Sequence, residues 1–442
     1  MSLQQSHLST PNSTTTKRKR TSPPDQKDRK LTPLAPIFQK HQLNFQWLSI
    51  INESCIHGTY GNPIPTQKIA AFDLDSTLIT TKSGNTFPRN SDDWKLWNPI
   101  IPKKLHQLNQ DGYTILLISN QKTNAKQSAE FDQKLPKLAK ALNVPFRIFA
   151  ARKDDVYRKP RTGIWEEFIK NWNGNLEPDK EQSFYVGDAA GRPSRGSIKA
   201  DFSDTDRKWA LNLDIPFFTP EEFFLNQSKR QDYVLKGFDP TKYDHDQPAW
   251  IPETSIIAYE PISSSLENVK KLQSNEIPKK LEIVLFVGPP AIGKSQFYKT
   301  HFEPKGYEHI NQDKLKTFEK CLKSVKESIQ CSKSCVIDNT NPSESTRHQY
   351  IKLSQDLGCS IRCIHFDSSI DLSLHNNVYR AFYGEKDAEG NRRHLLPGLA
   401  FGSYLKRFET PLVQEGFGEV ALVRFRFVGK DVGRKKWEMY LT

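Results

Sequence analysis

Residues 68–77 read Lys68-Ile-Ala-Ala-Phe72-Asp73-Leu-Asp75-Ser-Thr77. A short continuous apolar run that ends in carboxylates predicts a buried strand. Alternation along an extended chain points Asp73 and Asp75 to the same side. They fall at the carboxyl end of the strand, where open α/β sheets bind ligands. Two carboxylates placed there repel each other unless a cation shares the site. Working outward, YTILLIS (113–119), FRIFA (146–150) and SFYVGD (183–188) have the same apolar character, and helix-like stretches at 125–142 and 163–173 separate them. Strands alternating with helices predict a parallel sheet covered on both faces.

The chemistry-bearing residues recur at strand ends. Ser119 ends the second run, Lys159 lies in Arg158-Lys159-Pro160, and Asp188 ends the fourth run inside Gly187-Asp188-Ala-Ala-Gly-Arg192. With DxDxT, this order resembles the haloacid dehalogenase phosphatases. The resemblance implies that Asp73 is a nucleophile forming an aspartyl-phosphate. It makes Asp75 the general acid and then the base for water. Thr77, Ser119 and Lys159 would bind phosphate. Magnesium would be held by Asp73, the backbone carbonyl of Asp75, and Asp188. Asp204 and Asp206 have two open readings, as supports for this site or as caps of a helix beginning near Arg207.

A second constellation follows LEIVLFV. Gly288-Pro-Pro-Ala-Ile-Gly293-Lys294-Ser295 matches G-x-x-x-x-G-K-[ST] and precedes a predicted helix, 294–302. That context is what the motif needs: glycines let backbone N–H groups wrap phosphates at a helix N-terminus. Lys294 would contact the β- and γ-phosphates of ATP or GTP, and Ser295 would ligate magnesium. Asp313, after His309-Ile-Asn-Gln, is placed to deprotonate an acceptor hydroxyl or to cap a helix. Asp338, in Val336-Ile-Asp-Asn-Thr-Asn-Pro342, is a candidate for magnesium or for ordering the site. The segment His375-Asn-Asn-Val-Tyr-Arg380 reads as a lid, with Arg380 as an arginine finger or a surface ion pair.

Composition bounds the partners. The 442 residues carry a net charge of +13, which favours a polyanion. Residues 1–40 hold eight Lys/Arg against two Asp, a net +6 that leaves +7 on the remainder. This tail is Ser-, Thr- and Pro-rich and is expected to be disordered. Its run Lys17-Arg18-Lys19-Arg20 reads as a nuclear import signal or a solvated basic tail. No apolar run approaches the roughly 18 residues of a membrane span, and the N-terminus lacks a secretory signal. A soluble, intracellular protein is expected. The six cysteines then do not imply a disulfide framework. The pairs Cys331/Cys335 and Cys359/Cys363 flank strands and read as packing rather than zinc ligands.

Together the two constellations resemble the eukaryotic polynucleotide kinase 3′-phosphatases. The likeness runs from about residue 45 to 425 and rests on FDLDSTLITTKSGNTFP, VGDAAGR, TPEEFF, GPPAIGKS, VIDNTNP and FETPLVQEGF. It implies an α/β chain of two domains, a haloacid dehalogenase-like Rossmannoid phosphatase at 41–225 and a P-loop kinase at 281–442. A connecting segment at 226–280 would pack on both. The implied activity removes 3′-phosphate and phosphorylates 5′-hydroxyl ends of DNA, with Mg2+ and ATP, in the nucleus, as a monomer. RNA-end healing and a small-molecule phosphatase/kinase fusion are the alternatives. The roughly 40 residues before the phosphatase cannot form the forkhead-associated domain many members carry. Three positions depart from the family: Ser76 where Gly is common, Gln312 and Val378 where Arg is usual. Arg192, Arg195 and Lys199 are candidate DNA contacts or plain solvated charge. Trp94 and Trp97 read as core residues before base-stacking ones.

Overall fold

The computed structural model describes residues 43–121, 124–245, 250–252, 281–387 and 389–442. The expected disordered tail with its Lys17–Arg20 run, and residues 246–249 and 253–280 of the connecting segment, lie outside these.

The first sheet is built from β1 (Phe45–Trp47), β2 (Cys55–Tyr60), β3 (Ile69–Phe72), β6 (Thr114–Asn120), β7 (Phe146–Ala151), β8 (Phe184–Val186) and β9 (Phe217–Phe218). Their order is β1-β2-β7-β6-β3-β8-β9. A short hairpin, β4 (Ile79–Thr80) with β5 (Lys95–Leu96), stands apart. The four strands expected from apolar runs are all present and parallel. What the sequence reading did not foresee is an antiparallel edge, β1 on β2 and β2 on β7.

Strand β3 is buried on both faces, as central parallel strands are. Ala70 and Phe72 join one core with Leu105, Leu135 and Phe224, from α1 (Ile101–Gln110), α2 (Ala125–Leu142) and α5 (Pro220–Leu225). Ile69 and Ala71 join the opposite core with Ile164, Phe168 and Trp209, from α3 (Gly163–Trp172) and α4 (Thr205–Leu213). Register aligns the strand ends: Phe72 pairs with Leu117 on one side and Val186 on the other. Asp73, Ser119 and Asp188 therefore emerge at nearly one level.

The second sheet has the order β10-β15-β14-β11-β13-β12. It comprises β10 (Trp250–Pro252), β11 (Glu282–Val287), β12 (Glu308–Asn311), β13 (Cys335–Asp338), β14 (Ser360–Asp367) and β15 (Val420–Arg424). All pairs are parallel except β10 on β15. Helices α6 (Lys294–His301), α7 (Gln312–Leu315), α8 (Phe318–Gln330), α9 (Glu344–Asp356), α10 (Ile370–Phe382), α11 (Gly398–Arg407) and α12 (Asp431–Trp437) accompany it. In both sheets the first parallel strand, β3 or β11, lies in the middle, with later strands added on either side. That is the strand-order reversal where α/β sheets open a ligand crevice.

The two sheets share one compact unit, residues 43–442. Residues 226–245 contain one short turn of 3-10 helix, Pro240–Lys242. Phe238 and Tyr243 pack on Trp437 of α12. The segment after α12 crosses to the first sheet's helices: Asn212 exchanges hydrogen bonds with the backbone of Tyr440 (2.7 and 2.8 Å). Arg161 donates to the Leu441 carbonyl at 3.1 Å.

Candidate functional site

The first centre forms where β3 and β8 end. Asp73, Asp188 and Asp206 each bring a carboxylate oxygen within 4.8 Å of the others. Lys159 is 3% exposed and crosses the group, with Nζ 2.6 Å from Asp73 Oδ1 and 2.8 Å from Asp206 Oδ1. Asn120 fixes the Lys159 backbone from both sides, accepting from its N–H at 2.9 Å and donating to its carbonyl at 3.1 Å. Gly187 is required by close approach: a side chain there would collide with the Asp206 carboxylate.

Burial pushes Asp73 well above the usual carboxylate range; Lys159 opposes this, and Asp206, Asp188 and Asp75 add to it. Burial and then Asp206 carry Asp188 up to about 7. Lys159 is also raised, for a different reason: burial disfavours its charge, but the Asp206 and Asp73 carboxylates outweigh burial. Three clustered carboxylates, two of them buried and paired with Lys159, thus have one ammonium among them, and a second cation would restore their ionised forms. An all-oxygen donor set fits a hard divalent ion such as Mg2+.

Asp75 is half exposed and held from two sides. Lys134 Nζ, on α2, is 3.2 Å from Oδ1, and Gln121 Nε2 donates to Oδ2 at 2.6 Å. Ser119 is buried and accepts from the same Gln121 amide at 2.9 Å. Thr77 differs from its expected role: it is buried, and its hydroxyl is directed at Asp188 (3.4 Å) rather than outward to phosphate. Ser76 lies at φ +64°, the left-handed conformation that explains why glycine is common at this position.

Asp206 is more central than the sequence suggested. Its Oδ2 accepts from the Ala189 N–H at 3.0 Å and its Oδ1 from the Tyr185 hydroxyl at 3.1 Å. Asp204 occupies the N-cap position of α4, which starts at Thr205 rather than near Arg207, but its side chain makes no cap bond. It pairs instead with Lys208 at 2.9 Å and the Lys236 N–H at 2.6 Å.

The candidate DNA contacts divide. Arg192 is consumed internally: its Nε is 2.9 Å from Asp201 and its Nη1 2.9 Å from Glu221. Those partners hold it in the fold, so its expected role as a free phosphate contact is corrected. Arg195 and Lys199 are exposed. Between and beyond them Ile198 is 62% exposed and Phe202 96%, and Phe87 is 75% exposed on the loop after β4. Trp94 and Trp97 pack against the first core.

The second centre follows β11. Gly288 (φ +156°) and Gly293 (φ +99°) bend the loop, and a side chain on Gly288 would come within 2.7 Å of Phe366 Cβ. Gly293 then serves as N-cap of α6. Lys294 is buried and donates to the carbonyls of Gly288 (2.9 Å) and Pro289 (2.6 Å), inside the loop. Burial lowers it to about 8; Asp338 opposes the fall and Arg380 adds to it. The Ser295 hydroxyl donates to Asp338 Oδ2 at 2.5 Å, which also meets His309 Nε2 at 2.9 Å and Asn311 Nδ2 at 3.2 Å. Burial alone would raise Asp338; the His309 and Ser295 hydrogen bonds and Lys294 hold it below its usual value. Ser295 with an ionised Asp338 is a fitting oxygen pair for Mg2+ beside a nucleotide.

Asp313 is exposed in the first turn of α7, and Asn311, not Asp313, caps that helix. Asp313 lies in the field of both Lys294 and Arg380. Arg380, at the end of α10, reaches Asn377 Oδ1 at 3.3 Å, and its Nε is buried without a partner among the described residues. Burial, reinforced by Arg393, depresses it to about 10. The expected lid is otherwise corrected. His375, Asn376 and Asn377 face inward, bound to Trp437 O (2.7 Å), Trp437 Nε1 (2.7 Å) and Leu396 O (3.0 Å). Val378, at a position where the family usually has Arg, packs with Met439 and Leu441. Gln312, the other such position, accepts a hydrogen bond from Asn339 at the end of β13.

Sequence reasoning missed Lys134, Gln121 and Tyr185. Lys134 left a signal, because it falls beside Phe131, Leu135 and Leu138 on the apolar stripe of α2, where a lysine needs a buried partner.

Residues 68–224 match the family described as polynucleotide kinase 3 phosphatase, and residues 283–401 match the AAA domain. The chain is 37% identical over 390 residues to the bifunctional polynucleotide phosphatase/kinase of Schizosaccharomyces pombe, covering 88% of this chain and 86% of that protein. It is 33% identical over 400 residues to a proposed enzyme of the same bifunctional type from Acanthamoeba polyphaga mimivirus, covering 84% and 88%. A polynucleotide 3′-phosphatase of Arabidopsis thaliana is 37% identical over 180 residues, covering 37% of this chain and 25% of that one. With both centres built and both long relatives matched nearly end to end, this chain belongs to the bifunctional polynucleotide phosphatase/kinase family.

Proposed function

We propose that the protein heals DNA strand breaks, removing 3′-phosphate in the first centre and phosphorylating 5′-hydroxyl ends with ATP in the second. The observation that carries this reading is the pairing, in one chain of this family, of the Asp73–Lys159–Asp188 cluster with the P-loop and its Ser295–Asp338 pair.

In the first centre an Asp73 oxygen attacks phosphorus, and the bond to the 3′-oxygen breaks as Asp75 supplies the proton that oxygen needs. Asp75 then takes a proton from water. That water opens the aspartyl-phosphate, releasing phosphate and regenerating Asp73. Lys159 and Ser119 hold the phosphoryl oxygens. In the second centre Asp313 accepts the proton of the 5′-hydroxyl as its oxygen attacks the γ-phosphorus and ADP departs. Lys294 and Arg380 balance the charge on the transferring group. Bound Mg2+ would neutralise phosphoryl oxygens in both centres, held by Asp73 and Asp188 in one and by Ser295 and Asp338 in the other.

DNA would follow the exposed Arg195 and Lys199, with the bare rings of Phe87 and Phe202 offering stacking faces for unpaired bases. The Lys17–Arg20 run supports nuclear residence.

The test is a labelled nicked duplex bearing 3′-phosphate and 5′-hydroxyl, incubated with Mg2+ with and without ATP. Loss of 3′-phosphate without ATP, and gain of 5′-phosphate only with ATP, is the expected result. If neither end changes while the same ends in RNA do, the DNA assignment is wrong.

A further inference from the structure

Tyr185 is fully buried on β8, its ring packed on Trp209 with centroids 4.6 Å apart. A phenylalanine would fill that space equally well. The hydroxyl is therefore an added polar group in the core, which is favourable only if its partners repay desolvation. Both partners belong to the first centre: Lys159 Nζ at 2.7 Å and Asp206 Oδ1 at 3.1 Å.

The donors and acceptors around Lys159 do not match in number. An ammonium has three N–H groups. Four oxygens lie within reach: Asp73 Oδ1 at 2.6 Å, Tyr185 Oη at 2.7 Å, Asp206 Oδ1 at 2.8 Å and the Ile118 carbonyl at 3.0 Å. Tyr185 is the one member of this set that can also donate, and its proton is directed at Asp206. Asp206 can thus be served by Lys159 or by Tyr185.

We propose that Tyr185 is a positioning residue of the phosphatase centre. Its hydroxyl holds Asp206 in place when Lys159 turns an N–H onto the transferring phosphoryl group. This rests on the phosphatase reading above. Without the hydroxyl, Lys159 has three acceptors for three N–H groups and is fully satisfied at rest. It can then reach a phosphoryl oxygen only by giving up Asp73, Asp206 or the Ile118 carbonyl, and if it leaves Asp206 no hydroxyl remains to take its place on Oδ1.

A positioning residue and a packing residue differ in what their loss changes. Tyr185→Phe in the full chain should fold with unchanged thermal stability and unchanged kinase activity. Its phosphatase kcat should fall about ten- to hundredfold, the worth of one charge-assisted hydrogen bond, while KM for a 3′-phosphorylated oligonucleotide moves less than threefold. Unchanged kcat would overturn the proposal. So would a fall in kcat accompanied by an equal loss of thermal stability and kinase activity, because that is the signature of a packing defect. Wild-type protein inactive on 3′-phosphate would instead refute the functional reading itself.

Discussion

Arg347 of α9 is 0% exposed, and its guanidinium is bound on every side. Nε and Nη2 lie 2.7 and 2.6 Å from the two oxygens of Glu415. Nη1 donates to the Pro342 carbonyl at 3.0 Å and the Glu409 carbonyl at 2.9 Å. One side chain thereby ties the loop after Asp338 to the segment 408–417. Replacing Glu415 with Ala removes the carboxylate that, among the described residues, pairs with this fully buried cation. Breaking such a pair from one side costs about 3–5 kcal/mol, roughly 150- to 5,000-fold in the folding equilibrium and a large part of a typical total of about 5–15 kcal/mol. With urea slopes of about 1–3 kcal/mol per molar, the midpoint should drop by at least about 1 M. Because multidomain chains need not unfold in one step, each centre is best followed by its own activity across a urea series. The kinase midpoint should shift by that amount and the phosphatase midpoint should stay, since the hydrogen bonds from Lys436, Tyr440 and Leu441 to the first sheet's side involve neither Arg347 nor Glu415. A kinase shift below about 0.3 M, or an equal phosphatase shift, would show that the Arg347–Glu415 pair does not stabilise the second sheet's half in this way.

Other expectations concern single side chains. Lys134→Met keeps the buried volume but removes the ammonium facing Asp75; phosphatase kcat should fall about tenfold or more, and an unchanged kcat would show that Gln121 suffices. Ser76→Gly relieves a left-handed φ of +64° and should raise stability by about 0.5–1 kcal/mol, the strain relieved less the entropy glycine adds to the unfolded chain; a lower Tm would count against strain there. Burial holds His57 down to about 3 and His375 down to about 4, both below their unfolded value of 6.5. The unfolded chain therefore binds more protons below about pH 6.5, and stability falls as pH drops toward those folded values, by up to about 1.4 kcal/mol per pH unit for each histidine. Thermal melts between pH 7 and 5 should show this slope, and it should flatten in the His57→Gln, His375→Gln double variant; an identical slope would place the acid sensitivity elsewhere.

The parts legible in the sequence were those carried by local patterns. The runs before Asp73, Ser119 and Asp188 are short and wholly apolar, so they announced buried parallel strands, and the P-loop announced both strand and helix. β1 and β2 escaped because Phe45–Trp47 and Cys55–Tyr60 mix polar residues and glycine with apolar ones. They become strands only by antiparallel pairing onto β7. The same limit applied to side chains. Arg192 looked like a free cation because Glu221, 29 residues away, meets it only in the fold. The lid segment looked polar, yet Asn376 and Asn377 are buried because Trp437 and the Leu396 backbone satisfy them. Arg347 explains in retrospect why VIDNTNP and FETPLVQEGF mark the family together, since its hydrogen bonds join the two strings.

If two separate centres act on the two sides of a break, disabling one must spare the other. The most direct measurement compares Asp73→Asn and Lys294→Ala on one nicked duplex carrying 3′-phosphate and 5′-hydroxyl, with Mg2+ and ATP. Asp73→Asn should leave the 3′-phosphate in place yet phosphorylate the 5′-hydroxyl at the wild-type rate, and Lys294→Ala should do the reverse. Loss of both activities in either folded variant, or retention of both, would contradict it.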